Sequence, residues 1–131
     1  ASSAVPLIFK PVKYGDYLLV DGGVSNPVPV DVAKKYGAQV IIAVDVGAQL
    51  STYRSSHLFG VAKRSLEICY RELANRVVED ADIVISMDFK DIGMFSHTKN
   101  YQVYDRGRKM TRKALPKIRK CIANKISHKN P

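Results

Sequence analysis

Several motifs that would assign a chemistry at once are missing from this sequence. It contains no GxGxxG and no GxxxxGKS/T, so a dinucleotide site or a P-loop phosphate site loses its main support. It contains no HExxH and no GxSxG, and no cysteine stands near a histidine as a nucleophile pair would. Only two cysteines occur, Cys69 and Cys121. They form no CxxC and fall inside helical patterns, so they are expected to be buried thiols, in keeping with a reducing compartment. The histidines, His57, His97 and His128, are scattered and form no metal-ligand spacing. No metal and no cofactor are expected. No apolar run approaches the ~18–20 residues of a membrane span. Residues 1–9 lack the basic and long apolar regions of a signal peptide and read like the interior of a larger protein. The expected location is cytoplasmic, with peripheral membrane attachment and secretion left open.

What is present fits one soluble domain. The chain has 131 residues, 46% of them apolar and 25% charged, enough for a core and for a solvated surface. The net charge of +9 is unevenly spread. Residues 1–100 carry 11 Lys/Arg and 11 Asp/Glu, whereas residues 101–131 carry 10 Lys/Arg and one acid, Asp105. The excess is therefore a C-terminal basic element and not a property of the whole chain.

The chain is organised around Tyr17 to Val30, YLLVDGGVSNPVPV. Leu18-Leu19-Val20 reads as a buried strand that stops at Asp21-Gly22-Gly23. The glycines permit backbone angles closed to other residues and let another group approach. Asp21 is then expected at the rim of a sheet, where open α/β folds place their sites. The plain alternative is a turn-capping Asp whose carboxylate accepts the following N–H groups. Asp31 reads as a helix N-cap, residues 32–36 as a short helix, and Gly37 as its C′ residue. Residues 39–46, QVIIAVDV, read as a strand buried on both faces and hence part of a parallel sheet. Residues 47–57 are a loop. A long helix is expected over 58–79, with Leu58, Val61, Leu66, Ile68, Leu73 and Val77 on its apolar stripe and Cys69 and Tyr70 flanking it. Residues 83–87 form a third buried strand. Residues 88–103 are irregular, anchored by Ile92, Met94 and Phe95. A helix over 104–114 continues past Pro116, placed in a first turn, to about 126. This alternation is α/β. Three buried strands make a narrow sheet, so the sheet is expected to continue with strands that this chain does not supply.

These residues also resemble a known family. Ala1, Ser2, Ala4, Pro6 and Phe9, followed by Asp21, Gly22, Gly23, Asn26 and Pro27, are similar to the C-terminal part of the bacterial-type patatin-like phospholipase catalytic domain. Ala81-Asp82-Ile83-Val84-Ile85 and Asp105-Arg106-Gly107 extend the likeness over nearly the whole chain. The resemblance implies a three-layer α/β/α fold with a mostly parallel central sheet, of which residues 1–131 are the C-terminal portion. It implies a serine acyl hydrolase with a Ser–Asp dyad and no histidine. Asp21 would be the dyad Asp, with Gly22 and Gly23 shaping the turn that presents it. The family's nucleophile, in GxSxG, and its glycine-rich oxyanion loop lie N-terminal to this part, and this sequence contains neither. Ser2, Ser3 and Ser25 are not in an elbow context. The substrates implied are phospholipids or related fatty-acyl esters, and the partner implied is the N-terminal half carrying the nucleophile. The fragment alone is expected to be inactive and not to be a stable monomer.

Two other readings stay open on the residues themselves. One is a non-catalytic α/β interaction module in which Asp-Gly-Gly is only a turn. The other is a fragment that binds an anionic membrane or a nucleic acid through Arg106, Arg108, Lys109, Arg112, Lys113, Lys117, Arg119 and Lys120. Those cations form a solvated helix face or contact anionic lipid headgroups. No nucleic acid is expected, because no nucleic-acid-binding motif accompanies them and aromatic residues near them are limited to Tyr101 and Tyr104.

Overall fold

The apolar runs near residues 40 and 83 become neighbours, and the run at 17–20 does not join them. The computed structural model describes residues 1–47, 56–87, 89 and 100–127. In chain order these form β1 (Val12–Tyr14), β2 (Tyr17–Leu19), a 3-10 turn (Gly22–Val24), α1 (Val30–Lys35), β3 (Ile42–Asp45), α2 (Leu58–Val78), β4 (Ile83–Ser86) and α3 (Asn100–Ser127). β3 and β4 pair in parallel, from Ile42 opposite Ile83 to Asp45 opposite Ser86. With α2 between them they make a β-α-β crossover unit, the expected partner of a parallel pair. β1 and β2 form a separate antiparallel hairpin. Its turn is Gly15-Asp16, with Gly15 at φ 58°, the left-handed position that two-residue hairpin turns reserve for glycine.

Several expectations change here. The strand at 18–20 is not buried: β2 is exposed along its length, and Leu18 is 70% accessible. A hairpin satisfies its own backbone hydrogen bonds without needing the parallel sheet. β3 is buried on one face only. Ala43 and Asp45 are inside, whereas Val44 is 47% accessible. The apolar stripe of α2 is found in part. Leu66, Leu73 and Val77 are half-buried and Leu58, Val61 and Ile68 are exposed, while the fully buried positions are Ala74 and Val78. Cys69 is exposed and Cys121 half-buried, so neither is the buried thiol expected. Asp31 sits inside the first turn of α1, whose N-cap is Pro29. Gly37 does occupy the C′ position, at φ 83°. Its N–H donates to Lys34 O and that of Ala38 to Ala33 O, which closes α1 in a Schellman motif. α3 is one helix with Pro116 in its interior. Pro116 is exposed, so the carbonyl of Arg112 that loses its donor can reach water. Ile92, Met94 and Phe95 and most of the 47–57 loop lie outside the described residues.

The core is small. Val30 of α1, Ile41 and Ala43 form its centre, with Val28, Ala33 and Ala81 packed against it. A polar clasp closes one end of it. Asp82 Oδ2 accepts from Ile41 N at 2.8 Å, and Lys125 Nζ lies 2.6 Å from Asp82 Oδ1 and donates to Gln39 O. One carboxylate thus ties the start of β3 to the end of α3. The Lys125 hydrogen bond, then the Ile41 N–H, hold the Asp82 carboxyl below its ordinary value of 3.8. A carboxyl depressed in the folded state stabilises that state above its unfolded pKa, and the contribution is lost as pH falls through the folded pKa. Asp82→Asn should therefore destabilise the protein near neutral pH, and the gap from wild type should close below about pH 4. Denaturant melts at several pH values measure this. A gap that stayed constant down to strongly acid pH would show that the charge on Asp82 contributes nothing.

Candidate active site

The Asp21 turn is built from three segments. The chain leaves β2, and Asp21 N donates to Ala4 O at 3.0 Å, which ties the turn to the buried Ala4 of the N-terminal segment. Asp21 then caps the 3-10 turn: its Oδ1 accepts from Gly23 N at 2.7 Å. The carboxylate is half-buried and held by a backbone donor. This is the capping geometry that the Asp-Gly pair allowed, found two residues beyond β2 instead of at the rim of the parallel sheet.

The two glycines have different roles. Neither has a positive φ, so the backbone freedom expected of them is not used. A Cβ on Gly22 would meet nothing within 4 Å. A Cβ on Gly23 would lie 2.9 Å from Asp21 Oδ1 and 3.3 Å from Tyr70 Cε2. A side chain at Gly23 would force the Asp21 carboxylate and the Tyr70 ring to shift, since they close on it from two sides.

That ring was not singled out by the sequence. Tyr70 comes from α2, and its hydroxyl is buried with no hydrogen-bond partner. Burial, and next the negative charge of Asp21, push its pKa above the ordinary 10.0. The next residue on α2, Arg71, reaches the end of β3. Its Nη1 lies 2.7 Å from Asp45 Oδ2 and 3.0 Å from Gly47 O, and the guanidinium also bonds Asn75 Oδ1. Asp45, 3% accessible, takes a second bond from Gly47 N at 3.1 Å. The sequence did carry a signal for this pair, since a carboxylate inside VIIAVDV must find a partner if it is buried.

On the far side of the turn, Asn26 Nδ2 donates to Asp31 Oδ1 at 2.7 Å and holds the Asp31 carboxyl below its ordinary range. Ser2, Ser3 and Ser25 are exposed, and the Asp21 side chain accepts its hydrogen bond from Gly23 N. The arrangement therefore offers a fixed, half-buried carboxylate able to accept a proton, without a nucleophile beside it among the described residues. No group of three metal-ligating side chains occurs among the described residues.

Comparison with known proteins bears on this segment. The model of the patatin-like phospholipase family matches residues 1–34, which run from Ala1 through the Asp21 turn into α1. Patatin-like phospholipase domain-containing protein 6 of Mus musculus is 50% identical over 44 residues, 30% of this chain and 3% of the relative. Patatin-like phospholipase domain-containing protein 7 of Rattus norvegicus is 53% identical over 36 residues, 28% of this chain and 3% of the relative. Lysophospholipase NTE1 of Debaryomyces hansenii is 46% identical over 48 residues, 37% of this chain and 3% of the relative. The likeness covers a short segment, and the chain matches about 3% of the length of these curated relatives.

The proximity of Tyr70 to Asp21 can be checked directly. In Asp21→Asn the charge that opposes tyrosinate formation is gone, so the Tyr70 midpoint should move down toward 10.0. Site-resolved NMR of the tyrosine ring carbons across alkaline pH reads this. A Tyr70 midpoint unchanged by the substitution would mean that the two groups do not face each other.

Proposed function

We propose that this chain is the C-terminal portion of a lipid acyl hydrolase that uses a Ser–Asp dyad, and that Asp21 is the dyad's general base. The match of residues 1–34 to the patatin-like phospholipase family model carries the reading, because that segment includes the whole Asp21 turn and the Asn26-Pro27 step after it. The serine and the oxyanion donors would come from the N-terminal half of a longer polypeptide. In this reading the sheet of β3 and β4 is widened by strands of that half, giving a three-layer α/β/α domain. The exposed apolar residues on β2, on β3 and along α2 support such a completion.

The reaction would proceed in two steps. Asp21 accepts the serine hydroxyl proton as the oxygen attacks the acyl carbonyl of a phospholipid or related fatty-acyl ester, and gives that proton to the departing alkoxide as the ester C–O bond breaks and the acyl-enzyme forms. The regenerated carboxylate then takes a proton from water as it attacks the acyl-enzyme, and returns it to the serine oxygen as the fatty acid leaves. In the dyad Asp21 would be shielded from water by the second half, and the oxyanion donors would supply much of the barrier lowering, about 3–4 kcal/mol each. Gly23 keeps the carboxylate accessible by leaving its flank bare.

Two measurements test this reading. Residues 1–131 alone should not hydrolyse a p-nitrophenyl acyl ester above background, whereas the complete protein should. In the complete protein Asp21→Asn should lower kcat by at least ~100-fold, the low end for loss of a general base, with little change in folding. An Asp21→Asn enzyme with most of its activity would reduce Asp21 to a turn residue.

A further inference from the structure

α3 carries two different faces, and the sheet uses only one of them. Val103, Gly107, Ala114, Ile118 and Cys121 are half-buried and repeat at helical spacing, and α3 contacts β4. Met87 closes against Gly107: a Cβ there would lie 3.6 Å from its side chain. The Lys125–Asp82 pair pins the C-terminal end. A second apolar stripe runs along the outside. It consists of Tyr101, Tyr104, Leu115, Ile122 and Ile126, all exposed, with Tyr101 at 79% and Ile126 at 62% accessible. At 3.6 residues per turn these five lie within roughly 60° of one another around the helix axis. Arg108, Arg112 and Arg119 share or border the same arc. Lys109, Lys113 and Lys120 follow further round.

The charge around this stripe is one-sided. Between Asn100 and Ser127 the only acid is Asp105, which is taken by Lys109 at 2.7 Å. Arg108, Arg112 and Arg119 form no ion pair among the described residues. A protein partner covering the stripe would have to desolvate these guanidinium groups or bring a carboxylate to each. A nucleic acid would satisfy the arginines and leave Leu115, Ile122 and Ile126 against a charged backbone. An anionic bilayer surface satisfies both halves at once. The aliphatic side chains enter the boundary of the acyl region, the tyrosines sit at headgroup level, and the long arginine side chains reach the phosphates while keeping their apolar stems down.

We propose that the Tyr101–Tyr104–Leu115–Ile122–Ile126 stripe of α3, rimmed by Arg108, Arg112 and Arg119, is a docking surface for an anionic lipid bilayer. The helix lies on the membrane and does not cross it; no helix among the described residues is long and apolar enough to span one. The proposal does not rest on the hydrolase reading, and it is measured without turnover, so either can fail while the other stands. In a hydrolase that acts on bilayer lipids it would bring the acyl substrate and the enzyme to one surface.

Flotation with vesicles of the complete protein that contains this chain tests it. The protein should float with phosphatidylcholine vesicles containing phosphatidylserine and stay behind with phosphatidylcholine alone, and high salt should release it. The triple substitution Arg108→Gln, Arg112→Gln, Arg119→Gln should weaken the apparent affinity by at least ~10-fold. The corresponding Arg→Lys triple should retain it. Tyr101→Ser with Ile126→Ser should weaken binding comparably, and circular dichroism of each variant should match wild type. Lys34→Gln with Lys35→Gln, two charges removed on α1, should change nothing. Equal binding to neutral vesicles, no binding at all, wild-type binding by the Gln triple, or displacement of the protein from vesicles by RNA would each overturn the proposal.

Discussion

A carboxylate buried at the end of β3 fixes much of what surrounds it. Asp45 is almost inaccessible, and a charge in that position must be paired or neutralised. Arg71 supplies the pair from α2 and uses its other nitrogen atoms on Asn75 and its Nη1 also on Gly47 O. The geometry leaves α2 little freedom to rotate about its axis. Once Arg71 points at the end of β3, the preceding residue, about 100° away around the helix, faces the Asp21 turn. That residue is Tyr70, and its ring closes on Gly23. The ion pair at the sheet edge and the aromatic wall of the turn are thus consequences of a single helix orientation.

The elements that were legible in the sequence are those fixed by local chemistry. The Gly37 stop is satisfied by two backbone hydrogen bonds within a few residues, and α2 is specified by a long uninterrupted helical pattern. Strands of a parallel sheet were legible at 39–46 and 83–87, and β3 and β4 within them do pair in parallel, whereas the third expected strand lies in the separate hairpin. What sequence pattern could not supply was depth. QVIIAVDV reads as buried on both faces, yet Ile42 and Val44 are accessible in this chain. Local composition records that a residue is apolar, not which neighbour covers it. The same limit applies to α2, where the stripe legible in the sequence is half-buried at Leu66, Leu73 and Val77 and exposed at Leu58, Val61 and Ile68, while the full burial is at Ala74 and Val78. Ala74 is small enough to be missed by a hydrophobicity pattern.

The candidate site divides in the same way. Asp21 was conspicuous because a carboxylate before two glycines is a sequence-local feature, and its bond to Gly23 N is made within the turn itself. The distinction between Gly22 and Gly23 was invisible, since it depends on a ring 47 positions away in the chain. Tyr70 could be taken as a residue flanking a stripe, because nothing in its neighbourhood marks an unpaired hydroxyl. Asp45 lies between these cases. Its charge amid apolar residues signals that a partner exists without naming it.

Among the described residues each long helix carries an ion pair to another element, and that pair sets how the helix is turned about its axis. For α2 the pair is Arg71 with Asp45, and the face it turns inward holds the turn of Asp21. For α3 it is Lys125 with Asp82, reinforced by the donation to Gln39 O. Lys125 lies on the same side of α3 as Ala114, Ile118 and Cys121, so anchoring it turns that side toward β4 and sends the tyrosine and isoleucine stripe outward. The helix passes Pro116 without a break, and this continuity lets a clasp at its last turns hold the register of a stripe that begins at Tyr101. Among the described residues Asp82 pairs with Lys125 and Asp105 with Lys109. Arg108, Arg112 and Arg119 form no ion pair among the described residues, which leaves them to solvent or to an anionic surface.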